Sequence, residues 1–319
     1  MQGGKARGME SLNRMAIELA DEALEFAAEL DVRPHELENG ATVIDFGVEA
    51  DGGIEAGLLL AELQTAGLAT VQTRMDEVAG APFPHVELAT DSPGHALLGS
   101  QKAGWEVSVE GFEGLGSGPA RALVAEEDAF RAIGYTDAFD LTVLAVESDA
   151  LPTEAVAAHV AERADLGTDG VFLPAFRTAS IAGSVSGAAR AAELAVFRLF
   201  ELGYDPTDVV AASASAPVPP VAEAEETAIG RTNDAVAYGG QVHLTVRSDS
   251  EALESVASTA GEEYGAPFVD LFDRVDWDVA RLDQGVFAPA QVTVDVLGGP
   301  THASGSVSEG VLAESFGLA

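Results

Sequence analysis

Leu141-Thr-Val-Leu-Ala-Val-Glu147, a helical run over Pro152–Ala164, Gly170-Val-Phe-Leu-Pro-Ala175, and then Thr178-Ala-Ser-Ile-Ala-Gly-Ser-Val-Ser-Gly-Ala-Ala-Arg-Ala-Ala-Glu-Leu-Ala-Val-Phe-Arg-Leu-Phe-Glu-Leu202 together decide the fold. The two strand-like segments are nearly unbroken apolar runs, as in strands buried on both faces. Each is followed by a helical pattern, and that alternation is the signature of an α/β protein. It continues toward the N-terminus. Residues 9–30 place Leu12, Met15, Ala16, Leu19, Ala23, Phe26 and Leu30 at helical spacing. A strand is predicted over Ala41–Val48 and a helix from Gly52 to about Gln64. Strands are predicted at Leu68–Thr73 and His85–Thr90 around a Pro-Phe-Pro loop, and at Trp105–Glu110. Between them Pro93–Ala103 reads as helical, and Gly111–Gly118 reads as a glycine-rich loop. Toward the C-terminus, strands are predicted at Asp208–Ser213, Val242–Arg247 and Val292–Leu297, with helices at Glu251–Tyr264 and Val307–Phe316. Gly230–Gly240 reads as a loop. The length, 319 residues, suits two domains or one large α/β unit. The best boundary lies near Leu166–Gly170.

Within the last helical run, Val185, Ala189, Ala192, Val196 and Leu199 share one face and form a core stripe. Arg190 and Glu193 lie on its flank, about 60° apart at 100° per residue. Such a position can meet solvent or line a cleft. As an exposed pair it would contribute only about 0.2–0.5 kcal/mol.

The composition excludes whole classes of chemistry. There are no cysteines, so thiolate catalysis, disulfides and cysteine-ligated metals are out. The 6 histidines are scattered, and no spacing points to a metal site. No apolar run reaches the ~18 residues of a membrane span, and Met1–Gly8 lacks the apolar core of a signal peptide; a cytoplasmic protein is expected. Acidic residues number 53 against 16 basic ones, a net charge of −37 spread along the chain. That surface repels nucleic acid. It suits concentrated salt, where the Debye length is about 3 Å at ~1 M and self-repulsion is screened. A halophilic source is expected.

Three further segments stand out. Gly114-Leu-Gly-Ser-Gly-Pro-Ala-Arg121 could bring backbone N–H groups and a cation to an anion, or serve as an ordinary turn and cap. Lys102 lies in Gln101-Lys-Ala-Gly-Trp105. The only other lysine is Lys5, in the expected tail, so Lys102 is either a pocket cation or a helix C-terminal one. In Gly230-Arg-Thr-Asn-Asp-Ala235, Arg231, Asn233 and Asp234 could read the edge of a heterocycle or form a solvated turn.

Taken together, these stretches resemble the archaeal methenyltetrahydromethanopterin cyclohydrolase family. The resemblance is carried by Glu38–Ala50, Gly57-Leu, Gln101–Trp105, Gly116–Leu123, Thr178–Val185, Ala228–Ala235, Tyr238-Gly-Gly240, Gly285–Ala290 and Glu314–Leu318, in family order over nearly the whole chain. It implies two α/β domains, here 1–167 and 168–319, with the substrate pocket between them, and a homotrimer. The implied activity is reversible hydrolysis of the methenyl bridge of a reduced pterin to the 5-formyl product, with no metal and no redox cofactor.

By resemblance the catalytic Arg-x-x-Glu pair falls on Arg190 and Glu193, and the pocket lysine on Lys102. Glu193 would take a proton from water and return it to the leaving nitrogen. Arg190 would hold that carboxylate as the anion, and Lys102 would orient water or the developing oxygen. The implied substrate-binding residues are Ser117, Gly118 and Arg121, then Ser180 and Ser184, then Arg231, Thr232, Asn233, Asp234 and Tyr238. Arg177 departs from the methanogen pattern and could meet a different substrate tail, so tetrahydrofolate is an alternative carrier. A non-catalytic pterin-binding protein and a zinc-dependent amidohydrolase are the rival readings. The missing cysteines and scattered histidines disfavour the latter.

Overall fold

The computed structural model describes residues 9–318; the Met1–Gly8 segment and Lys5 lie outside them. The strands of the first half are β1 (Arg33–Glu36), β2 (Thr42–Gly47), β3 (Thr70–Val78), β4 (Ala81–Thr90), β5 (Trp105–Val109), β6 (Phe112–Ser117), β7 (Thr142–Val143) and β8 (Ala145–Glu147). Those of the second half are β9 (Val171–Phe176), β10 (Val209–Pro217), β11 (Gln241–Val246), β12 (Gln291–Val296) and β13 (Thr301–Gly305). The helices are α1 (Leu12–Glu25), α2 (Ile54–Gln64), α3 (Ala120–Val124), α4 (Asp128–Ile133), α5 (Glu154–Ala164), α6 (Ile181–Ala188), α7 (Ala191–Glu201), α8 (Glu225–Gly239), α9 (Phe268–Arg274) and α10 (Glu309–Phe316).

The α/β class holds, as two mixed sheets. The first has seven strands in the order β1-β2-β9-β8-β6-β5, with β7 also on β9. Its centre, β2, β9 and β8, is parallel, and both β2 and β9 are almost wholly buried. Register sets Gly47, Phe176 and Glu147 side by side at the carboxyl ends of these strands. That is the edge of an α/β sheet where ligands bind. The second sheet has six strands in the order β13-β12-β11-β10-β4-β3. The expected division at 167/168 does not follow the sheets. Hairpin β3–β4 precedes it yet joins the second sheet, and β9 follows it yet lies inside the first. Helices α2, α6 and α7 belong to one continuous apolar core that includes Phe46 and Phe176 of the first sheet and Leu244 and Val294 of the second.

Several sequence expectations are corrected. Gly111–Gly118 is not a loop: β6 is paired on both sides, with β5 and with β8. Its glycines serve close packing, since a Cβ at Gly116 would lie 3.0 Å from a Leu144 methyl and 3.1 Å from the Trp105 carbonyl oxygen. Gly230–Gly240 is not a loop either; it lies almost wholly within α8. The Pro-Phe-Pro segment belongs to β4, where prolines are tolerated because β10 reaches no further along it than His85. Glu251–Tyr264 forms two short 3₁₀ turns, Glu251–Ser255 and Ser258–Ala260, in place of one helix. The helix expected at Pro93–Ala103 ends at Gln101, and Gly94–Gln101 is π-helical. Such segments are frequent at functional sites.

The run 178–202 is two helices. The Arg190 N–H reaches Gly187 O at 3.2 Å, and the next backward bond is Leu194 N–H to Arg190 O at 2.9 Å. Between them the Ala189 carbonyl accepts from the Gln101 side-chain amide at 3.2 Å. A side chain inserted into the helical ladder is one of the few causes of a sharp break. The core stripe survives it: Val185, Ala189, Ala192, Val196 and Leu199 are all buried.

Candidate active site

The break between α6 and α7 positions the charged pair. Arg190 becomes the residue preceding α7 and Glu193 falls in its first turn, near the positive end of the helix. Glu193 is 0% exposed. Its Oε2 accepts from Arg190 Nε at 3.0 Å and from Arg190 Nη2 at 2.9 Å. The surface-ion-pair alternative therefore fails, because a buried carboxylate requires a partner. Its Oε1 is also buried and bonds to no group among the described residues. For Arg190, burial opposes the charge, but Glu193 and then Glu147 outweigh it and raise its pKa.

Two cavities adjoin this pair. One, of about 520 Å³, is lined by residues that include Gln64, Gln101, Ser117, Glu147, Arg190, Glu225, Thr232 and Asn233. The second, of about 320 Å³, is lined by Lys102, Arg190, Glu193, Phe197, Arg198 and Phe287, among others. Ala103, Arg190, Leu194 and Asn233 border both. A depression of about 550 Å³ on the outer face of the second sheet is larger, but it is lined by Gln72, Glu87, Ser213, His243 and similar strand residues, and no expected site residue reaches it. Size alone does not single out a candidate site; the buried acid and its cation make this one the candidate.

Lys102 follows the π-helical segment. Its ammonium lies over the Phe197 ring, 4.9 Å from the centroid, and 3.0 Å from Glu127 Oε2. It shares the second cavity with Glu193 while bonding to Glu127. Arg121 lines neither of these two cavities. It is buried, forks onto Glu127 at 2.8 Å and 2.8 Å, and donates to the Ser100 and Leu98 carbonyls. Its guanidinium thus ties down the segment that carries Lys102. Burial would raise the Glu127 pKa, but Arg121 and Lys102 together hold it low.

Ser117 lies in the first cavity and accepts from Gln64 Nε2 at 2.9 Å, and Ser186 donates to Gln64 Oε1 at 2.9 Å. Gly118 turns the chain there, at φ +111°, and donates to Ser100 O. Ser180 caps α6 through the Gly183 N–H, and Ser184 is buried beside it; neither reaches either cavity.

Helix α8 sorts its own residues by face. Glu225, Ile229, Thr232, Asn233 and Val236 recur every three or four residues and look into the first cavity. Arg231, Asp234 and Tyr238 turn away. Arg231 donates to Ser315 O and Pro220 O, Asp234 accepts from Phe268 N–H and Ser315 Oγ, and Tyr238 donates to Ala266 O. The expected heterocycle-reading trio is thus split: Asn233 faces the cavity, whereas Arg231 and Asp234 are engaged elsewhere. Burial pushes the Asp234 carboxyl up to about 7. Arg177 lies 3.6 Å from Glu225, whose two oxygens accept from the Thr178 and Ala179 N–H groups.

Sequence reasoning missed Gln64, Gln101, Glu127, Glu147 and Glu225. The neighbourhood of Gln101 and Lys102 was flagged, but nothing local marks Glu147 or Glu225 among 53 acids. Among the described residues, no cluster of His, Asp or Glu has a geometry suited to a metal ion.

The chain matches the model of the family described as Cyclohydrolase (MCH) over residues 11–316. It is 66% identical over 310 residues to a methenyltetrahydromethanopterin cyclohydrolase of Halobacterium salinarum, covering 97% of this chain and 100% of that protein. Proteins of the same description from Methanosphaerula palustris and Methanosarcina barkeri are 39% and 38% identical, over 97% of this chain and 100% and 99% of theirs.

Proposed function

The chain belongs to the cyclohydrolase (MCH) family and hydrolyses the methenyl bridge of methenyltetrahydromethanopterin, and we propose that Glu193 and Arg190 carry that reaction where the two cavities meet. The tetrahydrofolate alternative is not favoured, since relatives from a halophile and from methanogens alike are described by tetrahydromethanopterin. Nor is a non-catalytic pterin binder.

The methenyl carbon lies between two nitrogens in a cationic amidinium and is already electrophilic. Water adds to it as one water proton passes to Glu193 Oε1, giving a neutral carbinolamine. Glu193 then returns that proton to one bridge nitrogen, the bond from carbon to that nitrogen breaks, and the hydroxyl releases its proton as the carbonyl forms. The sum is cation plus water to 5-formyl product plus one proton, and every step is reversible. No oxidation state changes, so the reading assigns no redox cofactor, and with Glu193 as the base for water it assigns no metal.

One observation carries the assignment: a buried carboxylate with one oxygen clamped by a guanidinium and the other bonded to nothing among the described residues. The clamp fixes the acid, and the second oxygen, on a residue that lines the second cavity, is left to take a proton. Lys102, in the second cavity beside Glu193, is the group that orients water or the developing oxygen, released from Glu127 for that role.

Glu193→Gln is expected to lower turnover by roughly 10²–10⁴-fold while the substrate still binds. Loss of the methenyl chromophore's absorbance measures the first and calorimetry the second; turnover near wild type in this variant overturns the assignment. Among the described residues no helix is long and apolar enough to cross a membrane. A cytoplasmic homotrimer completes the reading, and sedimentation in molar salt tests the assembly.

A further inference from the structure

The lining of the second cavity includes three cations, Lys102, Arg190 and Arg198. Each has a carboxylate beside it. Arg190 donates twice to Glu193, Arg198 lies 3.6 Å from Glu201, and Lys102 lies 3.0 Å from Glu127. Glu193 and Glu201 line the cavity with their partners, whereas Glu127 lines neither of the two cavities. Three features fix it behind Lys102. Arg121, 2% exposed, donates to both of its oxygens at 2.8 Å. Its backbone immediately precedes α4, where its carbonyl accepts the Phe130 N–H at 3.1 Å. Residue 104 has no side chain: a Cβ there would lie 2.7 and 2.9 Å from the Glu127 oxygens and 2.9 Å from Lys102 Nζ. Burial opposes the Glu127 charge, but Arg121 and Lys102 keep the carboxylate ionised. The Lys102 ammonium is held more loosely, by this ion pair and by the face of Phe197. A point charge on a flexible four-carbon stem can exchange partners, whereas the Arg121 fork is rigid.

The reaction changes the charge that these groups meet. The methenyl bridge arrives as a cation, and its hydrated and opened forms are uncharged there and carry an oxygen. Resting on the function proposed above, we infer that Glu127 is a positioning residue that masks the Lys102 ammonium while the cationic bridge is bound and yields it to the oxygen once that charge is gone. A bare ammonium beside a bound cation weakens binding, because like charges repel more strongly at a half-buried site than in water. The same ammonium beside a hydroxyl or carbonyl oxygen makes a charge-assisted hydrogen bond. Glu127 thus lets one lysine serve both states of the bridge, and Arg121 keeps the carboxylate in place when Lys102 leaves it.

The test uses the full chain in molar salt and two ligands that differ in bridge charge. It measures KM for methenyltetrahydromethanopterin and the inhibition constant of 5-formyltetrahydromethanopterin. Glu127→Gln keeps an acceptor for Arg121 and Lys102 and removes only the charge. Its KM for the cation is expected to rise about 10-fold, while the inhibition constant of the formyl compound stays level or falls. A merely loosened structure weakens both alike; that result overturns the inference, as does no change in either. Lys102→Met supplies a second arm that stands even if Glu127→Gln fails to fold. It should bind the formyl compound about 10-fold more weakly, as loss of a charge-assisted hydrogen bond implies, and the methenyl cation no more weakly than the wild type does. Weaker binding of both ligands overturns the inference. Adding Glu127→Gln to Lys102→Met should change neither constant, since Glu127 acts through Lys102; a further rise in KM overturns that. Wild-type turnover and formyl affinity in Lys102→Met would sink the role given to Lys102 in the proposed function, and the inference with it. If Lys102→Met behaves as expected and only Glu127→Gln fails to discriminate by charge, that function stands and the inference alone falls.

Discussion

Glu193 and Asp234 are both buried acids, and their surroundings give them opposite roles. Glu193 keeps a guanidinium at one oxygen, and its other oxygen, buried beside a cavity, has no partner among the described residues. Asp234 has a backbone N–H and a hydroxyl but no cation, and its carboxyl is pushed up to about 7 by burial. In the folded chain Asp234 therefore holds its proton up to about pH 7, while an unfolded chain releases it near the ordinary carboxylate value. Between those values the native state binds more protons, so this residue makes stability fall as pH rises through about 4 to 7. Asp234→Asn should remove that slope, with a difference between the two profiles of order 4 kcal/mol at most. Glu127, held low by its cations, acts in the opposite sense, so only the comparison of variant with parent isolates Asp234. Denaturant midpoints from pH 4.5 to 8 at constant salt measure it, and parallel profiles would refute the expectation.

At the scale of elements, two close approaches shape the site. Helices α2 and α6 meet at Gly57, where a Cβ would lie 2.6 Å from Val185 Cβ and 3.1 Å from Ala182 Cα. Ala182 presents backbone, so the helices must separate to admit it. Gly57→Ala is expected to destabilise by about 1–3 kcal/mol from overpacking, offset by up to ~1 kcal/mol of helix propensity. Gly310→Ala in α10 meets no atom within 4 Å and should be neutral or stabilising. If thermal melting shows the two shifting alike, the close-approach argument is wrong. The second approach is Gln101 onto the Ala189 carbonyl, which separates α6 from α7. A helical wheel drawn through 178–202 places Arg190 and Glu193 on the flank of the core stripe. It has no means of showing that a side chain from another segment interrupts the helix there. Similarly, glycines at 114 and 116 read as a loop because their partners, Leu144 and Val146, are some thirty residues away. The 230–240 segment reads as a loop from its Gly, Thr, Asn and Asp content, yet Thr232 and Asn233 bond back to Ile229 O inside a regular helix.

Across the whole molecule, a net charge of −37 over 319 residues is the dominant long-range term. In dilute buffer these charges repel through about 10 Å or more of solvent, whereas molar salt confines them to about 3 Å. Halobacterium salinarum, whose name marks a salt dweller, supplies a relative at 66% identity. The melting temperature is expected to rise markedly between about 0.1 M and 3 M KCl; a flat response would show that the acidic surface serves some other end.

Sequence alone determined the α/β class, most of the strand and helix order, the core stripe and the family, because periodicity and motif are local properties of the chain. Tertiary structure decided which sheet each strand joins, which face of α8 looks into the cavity, and which of the many acids is buried beside a guanidinium. Those outcomes depend on contacts between residues far apart in sequence: β9 between β2 and β8, Gln101 against Ala189, Arg121 against Glu127. The physical reason is that burial, and with it the chemistry of a carboxylate, is a property of the surroundings and is not written at the residue itself.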